Sequence, residues 1–158
     1  MLAQQMVAPM DYPGGHRLAR ASSQYDYAPQ TAPRVIRVLI AGDHDCLRAS
    51  LKTMLELDPR IRVVGEAADD SETIKASRKL HPDVLLIDLD MRCCDHLDAL
   101  REITQRKLAS SVVALSIHDD KEGLAEAQAA GANVILEKGV PYRQLISAIR
   151  LASANSSR

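Results

Sequence analysis

Five short apolar runs recur along the chain, and a segment with helical spacing follows each. The most apolar is Val84-Leu85-Leu86-Ile87, bounded by Asp83 and Asp88 and preceded by Pro82. A run this short and uninterrupted reads as a strand buried on both faces, over 83–88. Positions 35–41 read the same way until Gly42-Asp43-His44-Asp45 breaks them. Next, 46–57 puts Leu47, Leu51, Met54 and Leu55 on one helical face, with Asp45 as the expected cap. A second strand covers 62–67, and Asp70 is expected to cap a helix running to 80 with Ile74 and Leu80 inward. After the third strand, a loop over 89–95 leads into a helix over 96–107 that buries Leu97, Leu100 and Ile103. The fourth strand is 111–116. Asp119 or Asp120 caps an alanine-rich helix, which Gly131 ends. The fifth strand is 133–136, and Pro141 opens a last helix with Leu145, Ile149 and Ala152 inward.

The order βαβαβαβαβα with short connections predicts an α/β fold. Its form is a three-layer sandwich, a flavodoxin-like (βα)5 doubly wound parallel sheet. Strands one and three are the most apolar, which makes them central neighbours and gives the strand order 2-1-3-4-5. Residues 1–33 follow neither period. They hold Pro9, Pro13, Pro29 and Pro33, the Gly14-Gly15 pair, and Tyr12, Tyr25 and Tyr27. That composition predicts a disordered leader, or alternatively a docking segment with the tyrosines as anchors. The regular part spans 34–154, and 155–158 is a polar tail.

Composition narrows the functional classes. The 158 residues suffice for one domain and a tail. Hydrophobic residues make up 46% but aromatics only 3%, with no Phe or Trp, so the core is aliphatic. A net charge of -1 argues against a nucleic-acid surface spread over the molecule. The first residues are not a signal peptide, and no apolar run is long enough to span a membrane. Three cysteines without an export signal suit a reducing cytoplasm.

The topology brings four chemical groups to one sheet edge: Asp43 after strand one, Asp88 ending strand three, Ser116 ending strand four and Lys138 after strand five. Two nearby carboxylates repel unless a cation separates them, and Mg²⁺ suits such hard oxygen ligands. A lysine and a hydroxyl opposite would hold phosphoryl oxygens. Separate helix caps and a solvated lysine would explain each residue alone, but not all four on one edge.

These residues and their spacing resemble the receiver domain of two-component response regulators, in the look of LuxR-type regulators. The segments that carry the likeness are Ile36-Arg37-Val38-Leu39-Ile40-Ala41 with Asp43-His44, Val63-Val64-Gly65-Glu66-Ala67, and Pro82-Asp83-Val84-Leu85-Leu86-Ile87-Asp88-Leu89. The resemblance spans about residues 35–152. It implies that Asp88 is the phosphoacceptor, Asp43 a direct Mg²⁺ ligand, and Asp90 a ligand through its backbone carbonyl. Ser116 becomes the switch hydroxyl and Lys138 the phosphate-binding lysine.

The chain departs from the family pattern at several points. Gly42 replaces the first of two acids, which should weaken Mg²⁺ binding, with Asp45 or the Asp90 side chain as possible compensators. The loop Met91-Arg92-Cys93-Cys94-Asp95-His96 lacks the usual proline and glycines, and Ile135 holds the aromatic switch position.

The resemblance implies a stand-alone, non-enzymatic receiver, phosphorylated by a histidine kinase and signalling through its helix 4–strand 5–helix 5 face with Tyr142. That face would bind a protein partner or a second copy. No direct nucleic-acid or membrane contact is expected, since nothing follows helix five. A pseudo-receiver scaffold that is never phosphorylated is the alternative, as is a fragment of a LuxR-type DNA-binding regulator. Asp88-Leu89-Asp90 also looks like the start of a haloacid-dehalogenase-type phosphatase, but the 70 residues after Asp88 are too few for that fold. Finally, His44, Cys46, Cys93, Cys94, His96 and His118 fall on loops of the same edge, where a thiol switch or Zn²⁺ site is conceivable.

Overall fold

The structure, a computed structural model, describes residues 34–91, 96–117 and 121–155. The expected leader, residues 156–158 of the expected polar tail, and the helix cap expected at Asp119 or Asp120 lie outside the described residues, whereas Asn155, also expected in that tail, is the last residue of the final helix. Ten elements alternate: β1 (Ile36–Ala41), α1 (Asp45–Leu55), β2 (Ile61–Ala67), α2 (Asp70–Leu80), β3 (Val84–Asp88), α3 (His96–Gln105), β4 (Ser111–Ser116), α4 (Lys121–Ala130), β5 (Val134–Glu137) and α5 (Tyr142–Asn155). The five strands are parallel, in the order β2-β1-β3-β4-β5.

Period-two alternation on the central strands divides the core. Val38, Ile40, Val84 and Leu86 face one side, packed with Leu51 and Leu55 of α1 and Leu145 and Ile149 of α5. Leu39, Ala41, Leu85 and Ile87 face the other, packed with Leu100 and Ile103 of α3 and Ala127 of α4. All five residues of β3 are buried, as a doubly covered parallel strand requires. No described helix is long and apolar enough to cross a membrane.

Helix starts differ from expectation in two places. Asp45 does not cap α1; it is the first helical residue, and its carboxylate pairs with Arg48 one turn on. His44 occupies the cap position without a side-chain cap bond. The cap of α2 is Asp69 rather than Asp70: its carboxylate accepts from Glu72 N–H at 2.8 Å, while Glu72 Oε2 accepts from Ala68 N–H at 2.9 Å. This reciprocal pattern resembles a capping box. It releases Asp70 to meet His96 Nδ1 at 3.2 Å, while the other ring nitrogen meets the Met91 carbonyl. His96 therefore ties α3 to α2 and is not an available ligand on a loop.

Asp83 is structural. It accepts from Arg37 N–H at 2.8 Å and pairs with Arg34, pinning the start of β3 to the start of β1.

Asp58 anchors the turn before β2. The Arg60 N–H bond at 2.9 Å holds its carboxyl below the usual range; burial opposes this, and Arg150 of α5 adds to the lowering. A depressed carboxylate stabilises the fold above its unfolded pKa, and that stability fades as pH falls through the lower folded value. Asp58→Asn should cost about 1 kcal/mol at pH 7, discounted for the solvent around Arg150. Urea denaturation at pH 7 and pH 3 should show the difference shrinking in acid.

Candidate functional site

Strand register alone assembles the site. Ala41 sits opposite Ile87, Asp88 opposite Leu115, and Ser116 opposite Glu137, so four strand ends finish at one edge. Asp88 ends the buried central strand and is 2% exposed. Its Oδ1 accepts from Asp90 N–H at 2.8 Å and from Lys138 Nζ at 2.6 Å. Its Oδ2 is buried without a hydrogen-bond partner among the described residues. That oxygen faces Gly42, where a Cβ would lie 3.8 Å from Oδ2 and 3.3 Å from Asp88 Cβ. Glycine at this position thus lets the loop approach the Asp88 side chain closely, where a larger residue would press on it.

Asp43 and His44 complete that side, with His44 Nδ1 2.5 Å from Asp43 Oδ1. One ligand atom each from Asp43, His44 and Asp88 lie within 4.8 Å of one another. The carboxylates of Asp43 and Asp88 fit a hard divalent cation, because a buried carboxylate oxygen with no donor requires positive charge nearby.

On the other side, Lys138 Nζ bridges Asp88 Oδ1 and Asp90 Oδ2, at 2.6 and 2.8 Å. Burial works against its charge, but the hydrogen bonds and charges of the two carboxylates outweigh it and raise its pKa above the ordinary lysine value. Its backbone N–H donates to the Ser116 carbonyl at 2.9 Å, which fixes the lysine to the end of β4. Ser116 is itself buried. Asp90 Oδ2 also accepts from Ile117 N–H at 2.8 Å.

Asp88 and Lys138 are thus in contact, Asp43 lies within shared ligand reach of Asp88, and Ser116 joins them through the Lys138 backbone. Both expected compensators for Gly42 have partners in this arrangement. The Asp45 side chain is 88% exposed and paired with Arg48, and the Asp90 carboxylate is engaged by Lys138 and Ile117. Ile135 is half-buried within the α3–α4 side of the core.

Two participants were not singled out from the sequence. Arg48 donates from Nη1 to the Gly42 carbonyl at 2.5 Å, holding the loop that carries Asp43. The Ile117 N–H is a backbone donor with no side-chain signature. His44 pairs with Asp43, the residue just before it. Of the cysteine–histidine group, Cys46 is exposed and His96 is committed elsewhere, while Cys93, Cys94 and His118 lie outside the described residues.

Residues 38–150 match the model of the response regulator receiver domain. The transcriptional regulatory protein LiaR of Bacillus subtilis is 35% identical over 119 residues, covering 75% of this chain and 56% of LiaR. The nitrate/nitrite response regulator protein NarL of Escherichia coli is 31% identical over 117 residues, covering 74% of this chain and 54% of NarL. The chain spans about half the length of these relatives. Among solved structures, the signal receiver domain of a NarL response regulator from Mycobacterium tuberculosis superposes with a TM-score of 0.72 at 25% identity, covering 77% of this chain and 98% of that one.

Proposed function

Because this chain belongs to the response regulator receiver domain family, we propose that it accepts a phosphoryl group from a histidine kinase on Asp88 and signals through altered protein contacts. Receiver domains are signalling proteins rather than enzymes; they interact with histidine kinases and bind Mg²⁺ at an acidic pocket. The observation that carries the reading is Asp88 itself: a buried carboxylate with one oxygen on Lys138 and the other without a hydrogen-bond partner beside Gly42.

In the transfer, an Asp88 oxygen attacks phosphorus and the P–N bond to the donor imidazole breaks. That nitrogen keeps the bonding pair, and because the donor ring is protonated at its other nitrogen before transfer, the imidazole leaves neutral. Lys138 meets the charge on the phosphoryl oxygens, and Ser116 at the end of β4 supplies a hydroxyl donor. Mg²⁺, when bound, neutralises charge between the carboxylates and the incoming group; Asp43, Asp88 and the Asp90 carbonyl would hold it. Gly42 leaves one acid fewer, so the affinity is expected to be weak.

Downstream, the α4–β5–α5 face would meet a partner or a second copy in the cytoplasm. Tyr142 is partly buried against the core, so it supports that face from below. A pseudo-receiver reading draws on Gly42 and on the Asp90 carboxylate engaging Lys138.

Intact-mass measurement after incubation with acetyl phosphate and Mg²⁺ separates the two. One added phosphoryl group on wild type and none on Asp88→Asn is expected. No added mass, under conditions that label an ordinary receiver, would establish the scaffold.

A further inference from the structure

We propose that the Asp90 carboxylate is a tethered anion seated on the donors meant for phosphoryl oxygens, so that a phosphoryl group enters only by displacing it. The inference rests on Asp88 as acceptor and adds a built-in competitor to that site. Two donors from different strand ends converge on a single oxygen, Asp90 Oδ2. Ile117 N–H comes from the residue after β4, and Lys138 Nζ comes from the residue after β5, each at 2.8 Å. An ammonium and an amide N–H on one anionic oxygen form the kind of cradle that receives a phosphate oxygen.

The placement supports displacement rather than coexistence. Lys138 spans Asp88 Oδ1 and Asp90 Oδ2, so Asp90 stands just across one ammonium from the reacting carboxylate. The Asp90 side chain is only 14% exposed, inside the pocket rather than above it. A phosphoryl group on Asp88 would bring about two further negative charges to the same donors, and like charges at that separation repel. Once displaced, Asp90 releases the Ile117 N–H at the end of β4. The competitor thus sets a threshold for phosphorylation.

Truncation at Asp90 tests this, because its backbone carbonyl and its N–H to Asp88 are retained. The probe is beryllium trifluoride with Mg²⁺, a phosphoryl mimic that adds to a carboxylate oxygen, followed by the Ile117 amide resonance. Asp90→Ala should bind it at least about tenfold more tightly than wild type, the size of one lost charge-assisted competitor. Asp90→Asn keeps an acceptor oxygen without the charge and should fall between.

Equal or weaker binding by Asp90→Ala, or no binding by either protein, overturns the inference. So does an Ile117 amide that does not move on Asp90→Ala. Acetyl phosphate labelling separates the two claims. Equal labelling rates keep Asp88 as acceptor and remove the competitor. Tighter probe binding by Asp90→Ala without labelling of either protein keeps the competitor and removes the acceptor.

Discussion

Lys138→Met should destabilise the protein by roughly 2–4 kcal/mol at neutral pH, and added Mg²⁺ should restore more stability to the variant than it adds to wild type. Lys138 is the shared partner of Asp88 and Asp90, at 2.6 and 2.8 Å, and its side chain is 17% exposed. Removing one partner of a largely buried charge pair leaves the other uncompensated, which costs about 3–5 kcal/mol when burial is complete. Here remaining contact with water lowers the figure. Two carboxylates then face each other across a gap, so a divalent cation gains what the ammonium supplied. The sign with pH follows from the raised lysine pKa. Its stabilisation is fully present below the unfolded value near 10.4 and fades only as pH rises through the higher folded value. Thermal melts of both proteins with and without Mg²⁺, at pH 7, measure the effect. An equal Mg²⁺ increment in the two would show that Lys138 does not balance this pocket.

Gly131→Ala should cost about 3 kcal/mol or more, and Thr104→Ala in the same chain should recover only part of it. Gly131 follows α4 with φ of 116°, a region that L side chains enter only under strain. The helix closes there by paired bonds, Ala132 N–H to the Ala127 carbonyl and Gly131 N–H to the Gln128 carbonyl, both at 3.0 Å. This is the Schellman arrangement that favours glycine. A methyl group at 131 would also lie 2.3 Å from Thr104 Oγ1 and 2.8 Å from Thr104 Cβ. Thr104 cannot turn away freely, since its hydroxyl donates to the Leu100 carbonyl at 2.8 Å. Strain and overpacking thus act together. Urea midpoints for the two single variants and the double variant divide the cost between them.

The fold was legible because its strands are buried on both faces. Val84-Leu85-Leu86-Ile87 can be read only as interior chain, and strict alternation of elements then places Asp43, Asp88, Ser116 and Lys138 on one edge. What escaped were choices between near-equivalent groups and the directions of side chains. Asp69 and Asp70 are both good caps, and only the spacing of Asp69 to Glu72 distinguishes them. The Asp70–His96 contact joins residues 26 apart in sequence, beyond any local pattern. The Ile117 N–H has no letter in the sequence at all. The Asp90 carboxylate was visible, but its aim depends on the path of the chain after β3. Local periodicity therefore finds the acceptor strand, while the wiring around the acceptor needs the three-dimensional register.

The central claim is that Asp88 carries the phosphoryl group. Its most direct measurement is borohydride reduction of protein treated with acetyl phosphate and Mg²⁺, followed by peptide mapping, because borohydride reduces an acyl phosphate to an alcohol and leaves a free carboxylate untouched. The predicted result is an alcohol at residue 88 and at no other acidic position. An unmodified Asp88, or reduction at Asp43 or Asp90 instead, would contradict the account.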